Sequence, residues 1–205
     1  MNSYLKQIFL TGAALLALAT SGPAQSDRRA EQLIRQTLSD YRKADCVRIR
    51  FSGDQTGSLL LQGKCFVLDC AGITSWYDGE TQWSYVRQND EVNVSTPTEE
   101  ELNTVHPYAW ISHSENAFHC RYAGQRQAGG KTVEEVVLTP KQGNSLTSIT
   151  LRIGTDHRPV SICLQADGQR QEFTVTTYET LQRQPLSAFR FPIKEYPNAE
   201  IVDLR

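Results

Sequence analysis

Residues Trp76-Tyr77-Asp78-Gly79-Glu80-Thr81-Gln82-Trp83-Ser84-Tyr85 decide how this chain reads. Two runs, Ile73 to Tyr77 and Gln82 to Val86, flank Asp78-Gly79, and an Asp-Gly pair between alternating apolar runs is a strong local hairpin signal. The period of two continues outward in both directions. Upstream, Val47, Ile49 and Phe51 alternate with Arg48 and Arg50. Leu59 and Leu61 follow, then Phe66 and Leu68, with Gly63-Lys64 shifting the parity between them as a bulge would. Downstream come Glu91 to Ser95, Phe118-Cys120-Tyr122, Val133 to Leu138, Ile149-Leu151-Ile153, Val160-Ile162-Leu164, Phe173-Val175-Thr177 and Phe189-Phe191. Turn residues separate them at Gly129-Gly130, Asp156 and Asp167-Gly168. About eleven strands at hairpin spacing predict one large antiparallel sheet that curls or closes.

Helical spacing governs two other stretches. From Ser26 to Ala44, the residues Ala30, Leu33, Ile34, Thr37, Leu38 and Tyr41 form one apolar face, with Arg28, Arg29, Glu31, Arg35, Asp40 and Arg42 around the rest. Ser26 or Asp27 can cap its start. Thr98-Glu99-Glu100-Glu101 has the form of a capping box that opens a short helix through Leu102. Pro107 then begins Tyr108-Ala109-Trp110-Ile111, apolar nearly all round, which must lie against the inner face of the sheet. The fold class is therefore α+β, mainly β, with helices over the concave side.

The N-terminus has the layout of an export signal. Lys6 supplies a thin positive region, Ile8 to Ala19 is apolar or small, and Ser21-Gly22-Pro23-Ala24 offers small residues for cleavage after Ala24. The apolar run is short for a membrane span and is followed at once by Gln25-Ser26-Asp27-Arg28-Arg29. Residues 1–24 are thus expected to be removed and residues 25–205 to form a single domain of about 180 residues. A formal net charge of −2, with no basic face or run, excludes a nucleic-acid binder. The five cysteines, Cys46, Cys65, Cys70, Cys120 and Cys163, show no metal-type spacing, and their odd number leaves the disulfide pairing open.

No catalytic constellation is present: the chain has no GxSxG, no HExxH and no phosphate-cradling glycine loop. The histidines His106, His113, His119 and His157 lack matched ligand spacing, and the helix dipole accounts for Glu99, Glu100 and Glu101. No enzyme activity, metal or cofactor is expected. A sheet this large has more inward surface than two helices can cover, which leaves room for an apolar cavity. An acyl chain would gain roughly 0.8 kcal/mol per methylene buried there.

The hairpin Trp76 to Tyr85 also resembles the W-x-D-G-K-T-x-W-x-Y hairpin of the LolA family, the periplasmic carriers of outer-membrane lipoproteins. Gly63-Lys64-Cys65-Phe66, Glu91-Val92-Asn93-Val94, Pro97 to Leu102 and the ending Tyr196 to Arg205 resemble its other segments in order. That resemblance implies an unclosed antiparallel β-barrel whose concave face is covered by helices. It also implies a periplasmic location and transfer of lipoprotein acyl chains, or other lipids, from an inner-membrane donor complex to an outer-membrane acceptor. A monomer is expected. The expected cavity lining comprises Leu33, Ile34 and Leu38 from the first helix and Ile49, Phe51, Leu59, Leu61, Phe66 and Leu68 from the first strands. Trp76, Trp83 and Tyr85 join them from the hairpin, and Trp110 and Ile111 from the second helical piece. The family's Arg-Pro pair is replaced here by Gln62-Gly63-Lys64-Cys65, so Lys64 is the candidate lid latch, without the planar fork of arginine. A non-enzymatic envelope sensor or assembly module on the same scaffold, binding lipid or protein, is the alternative reading.

Overall fold

The computed structural model describes residues 23–98, 101–102, 117–142 and 146–205. The first helix, α1, spans Pro23–Lys43. Six strands follow as a meander: β1 (Cys46–Gly53), β2 (Gly57–Gln62), β3 (Cys65–Cys70), β4 (Ile73–Tyr77), β5 (Gln82–Val86) and β6 (Glu91–Ser95). A second meander comprises β7 (Phe118–Ala128), β8 (Lys131–Pro140), β9 (Leu146–Gly154), β10 (Pro159–Ala166) and β11 (Gln169–Leu181). A last short strand, β12, is Glu200–Asp203. All twelve belong to one sheet in the order β12-β6-β5-β4-β3-β2-β1-β11-β10-β9-β8-β7. Antiparallel pairing of β1 with β11 joins the two meanders, and β12 adds in parallel to β6. No ladder joins β7 to β12 among the described residues, so the barrel stays open.

Local chemistry explains the turns. Ala166 pairs with Gln169 across Asp167-Gly168, whose φ values of 49° and 73° are those of a hairpin turn that matches strand twist. The central loop is longer. Tyr77 pairs with Gln82, and Asp78 Oδ1 accepts from the backbone of Glu80 and Thr81 at 3.1 and 3.0 Å. Asp78 Oδ2 accepts from Arg190 Nε at 2.8 Å. Burial pushes the Asp78 carboxyl up, but these hydrogen bonds outweigh it and hold the group below the usual carboxylate range.

The core lies between α1 and the inner face of the sheet. Ala30, Leu33, Ile34 and Leu38 join Val47, Ile49, Leu59, Leu61, Phe66 and Tyr77 from one meander and Val136, Leu138, Ile149, Leu151 and Ile153 from the other. Strands this far apart in sheet order reach one cluster only because the sheet wraps around the helix. Each large side chain buried there contributes roughly 2 kcal/mol. The outer face differs between the two halves. Over β8 to β11 it carries a charged ladder, with Arg152 reaching Glu135 at 3.1 Å and Glu172 at 2.5 Å, and Arg170 reaching Glu172 at 2.6 Å. Over β1 to β3 it carries a second small core of Cys46, Cys65 and Phe189, edged by Leu60, Val67 and Leu181.

One expectation is corrected. Phe189-Phe191 is not a strand: Leu186–Phe189 forms a 3-10 turn, because Pro185 and Pro192 bracket the segment and neither can donate to a ladder. The twelfth strand is instead β12, nearer the end of the chain. All five cysteines are free thiols, and burial pushes those of Cys46, Cys65 and Cys70 above the ordinary range. The expected leader, residues 1–24, falls almost wholly outside the described residues.

Phe189 is fully buried and seals the outer core. Phe189→Ala is expected to cost about 3–4 kcal/mol of stability, read as a lower midpoint in urea denaturation with an unchanged slope.

Candidate functional site: the inner face of the sheet

α1 is fixed across the inner face at both ends. Near its start, Ser26 Oγ donates to the Tyr122 carbonyl at 3.0 Å, and Arg29 pairs with Glu134 at 3.0 Å. Tyr122 donates its hydroxyl to the same Glu134. Near its end, the Tyr41 hydroxyl donates to the Gly63 carbonyl at 2.9 Å, and Asp40 meets His157 Nδ1 at 3.5 Å. Gly63 and Lys64 form the β2–β3 turn, where Gly63 adopts φ 57°. The Lys64 stem extends over Gly79, so closely that a Cβ there would sit 2.6 Å from its Cε. The direct tie between α1 and this turn is therefore Tyr41, which sequence reasoning had counted only as part of the apolar helix face. A contact of Lys64 with the second helical region would fall outside the described residues, as do Trp110 and Ile111. The box that opens that region is formed. Thr98 N donates to Glu101 Oε2 at 2.7 Å, and Glu101 N donates to Thr98 Oγ1 at 3.3 Å.

Among the described residues, α1 covers part of the face. Leu33, Ile34, Leu38, Ile49, Leu59, Leu61 and Phe66 are brought together, but as solid core beneath α1. Beyond the helix the lining is apolar and half-buried. Leu68, Ile162, Leu164, Val175 and Tyr178 edge the cluster. Phe51 and Phe173 stand outside it on the same face, edge to face with ring centres 5.7 Å apart. Leu164, Phe173 and Val175 were visible as alternating positions, yet the expected lining had been drawn from the first half of the sheet alone. A cleft of about 630 Å³ also opens beside the β9–β10 turn. Lys131, Thr132, Asp156 and Arg158 make it polar, and the Arg158 guanidinium lies 4.9 Å from the centre of the Tyr178 ring.

The hairpin residues go elsewhere. Phe66 pairs with Tyr77, so Trp76 lies on the opposite face, and Trp83 and Tyr85 share that face by register. Trp76 and Tyr85 pack outside against Phe191 and Tyr196 of the C-terminal segment, with ring centres 4.5 to 6.4 Å apart. Trp76, Trp83 and Tyr85 thus do not line the inner face. The cause is a switch of polarity along the sheet. The inner row Leu59–Leu68 continues as Ser75–Ser84–Asn93, while the outer row Leu60–Val67 continues as Trp76–Trp83–Val94. Among the described residues no group of three His, Cys, Asp or Glu side chains could hold a metal ion.

A family model described as outer membrane lipoprotein carrier protein LolA matches residues 42–169. The chain belongs to this family. No match was found among curated proteins. A solved structure of an uncharacterized conserved protein from Thermus thermophilus superimposes with a TM-score of 0.61. It has 11% sequence identity, and the match covers 85% of this chain and 99% of that one. The lipoprotein LppX of Mycobacterium tuberculosis gives a TM-score of 0.49 at 12% identity, covering 78% of this chain and 100% of that one. The LolA-like half-barrel is thus the fold observed: mainly β, unclosed, with α1 on the inner face.

The helix anchors give this scaffold an alkaline limit. Burial first, then neighbouring groups, pushes both Tyr41 and Tyr122 up to about 12. The folded state therefore favours the neutral phenols, while an unfolded chain ionises them near pH 10. The contribution of these two phenols to stability is expected to be constant up to about pH 10 and to be lost between about pH 10 and pH 12. The pair Tyr41→Phe and Tyr122→Phe should flatten the resulting fall, measured by urea midpoints across the range.

Proposed function

We propose that this chain is an envelope carrier that holds lipoprotein acyl chains against the half-buried apolar part of its inner face. It would pass them from an inner-membrane donor to an outer-membrane acceptor. Membership of the LolA family supports the class of cargo. The observation that carries the reading is the half-buried apolar lining at Phe51, Leu68, Phe173 and Val175, on the inner face at the edge of the core beneath α1. Residues 1–24 serve as the export signal in this reading and are removed, so that the mature chain works in the periplasm as a monomer.

The chemistry suits transfer rather than catalysis. Acyl chains need no polar recognition, and each methylene moved from water to the lining gains roughly 0.8 kcal/mol. A carrier must also release its cargo, and a face that is only half-covered gives a chain less than full burial, which keeps binding moderate.

Phe173→Asp is expected to reduce affinity for a fluorescent acyl probe by at least tenfold while the β-sheet circular dichroism persists. Leu60→Asp, on the outer face, should leave probe affinity per folded molecule unchanged. Equal affinity in native and Phe173→Asp protein would overturn the assignment, as would purified native protein that carries and takes up no acyl lipid.

A further inference from the structure

The inner face is not uniformly apolar, and its polar part has an order of its own. Crossing from β3 to β6, Leu68 gives way to Ser75, Ser84 and Asn93 in one row. Phe66 and Tyr77 give way to Gln82 and Ser95 in the next. Ser75 is buried and the others are half-buried. Three of these groups are linked: Ser75 Oγ and Ser84 Oγ are 3.0 Å apart, and Gln82 Nε2 donates to Ser84 Oγ at 3.0 Å, while Asn93 lies beside Ser84 by register. Asn93 Nδ2 donates to Glu91 Oε1 at 2.7 Å.

Such a strip is costly where an acyl chain is to lie, because polar groups removed from water need partners. The sheet had apolar residues to place here, yet Trp76, Trp83 and Val94 occupy the outer face of the same strands. The strip adjoins the apolar lining through the Leu68–Ser75 pair, so a lipid with its chains beside Leu68 would bring its linkage region over Ser75, Ser84 and Asn93. The available chemistry is two amides and several hydroxyls, which both donate and accept. No cation lies in these rows, and the Glu91 carboxylate at the end of the strip repels a phosphate.

We infer that the Ser75–Ser84–Asn93 strip is a subsite for the uncharged, hydroxyl- and ester-bearing linkage of an acylglycerol, which selects cargo whose polar part is neutral over phosphate-bearing lipids. This rests on the carrier reading and adds to it a specificity that the apolar lining cannot supply, since chains of equal length bury equal area whatever they are attached to.

The test uses the mature protein and displacement of a fluorescent acyl probe by three lauroyl compounds below their micellar range. These are 1-monolauroylglycerol, methyl laurate and lauroyl lysophosphatidate. Native protein should bind the monoacylglycerol at least tenfold more tightly than the other two. Ser84→Val with Asn93→Leu should bring the monoacylglycerol within twofold of methyl laurate, whose own affinity stays unchanged. Ser84→Ala, a milder change, should narrow the gap by two- to threefold and serves if the double variant does not fold. Equal binding of all three lipids by native protein would overturn the subsite and leave the carrier reading standing. Equal loss of all three in the double variant would assign the strip to internal packing and also overturn it. Failure of every lauroyl compound to displace the probe would overturn both.

Discussion

The burial of α1 within a sheet far wider than itself is the constraint on which this structure depends. The four apolar residues on one face of α1 can be buried only if strands from both meanders bend toward them, and that demand curls the sheet. Yet a helix is about 10–12 Å across with its side chains, and twelve strands offer much more inner surface than one such cylinder can cover. The part beneath α1 closes as a dense core, and the apolar residues at its edge are half-buried. The same geometry thus supplies both the stability and the unfilled surface.

How much of this could be read in advance follows from what each signal depends on. Period two, the Asp-Gly and Gly-Gly turns, the amphipathic pattern of α1 and the Thr98–Glu101 box are local, and each emerged where the residues placed it. Which face an apolar residue joins is not local. Trp76 and Leu68 look equally suited to a cavity, but the two-residue turn at Ala71-Gly72 fixes a register that pairs Leu68 with Ser75 and sends Trp76 outward. The partners that make this arrangement stable, Phe191 and Tyr196, lie more than a hundred residues along the chain from Trp76, and no short-range pattern announces them. Phe189-Phe191 was misread as a strand for the same reason: its aromatics match a strand pattern, while their role is to cap another surface.

The site was legible in part. The first helix and the early strands do share the inner face, but the residues named from them are mostly interior packing. The half-buried apolar surface sits where the two meanders meet, at Phe51, Phe173 and Val175, and only the β1–β11 pairing that closes the middle of the sheet brings these residues together. The tie at Tyr41 escaped notice because a phenol on an apolar stripe reads as filler. Its hydroxyl reaches the Gly63 carbonyl only because the turn there bends into the left-handed region.

The C-terminal segment also sets an order of events. Trp76, Trp83 and Val94 are synthesised in the first half of the chain, but the aromatics that shelter Trp76 and Tyr85 and the Arg190 guanidinium that locks Asp78 are made long afterwards. A chain emerging from its N-terminus exposes an indole-bearing ribbon until residue 196 has been made. Synthesis therefore carries a window of aggregation risk whose length is set by the distance between hairpin and tail.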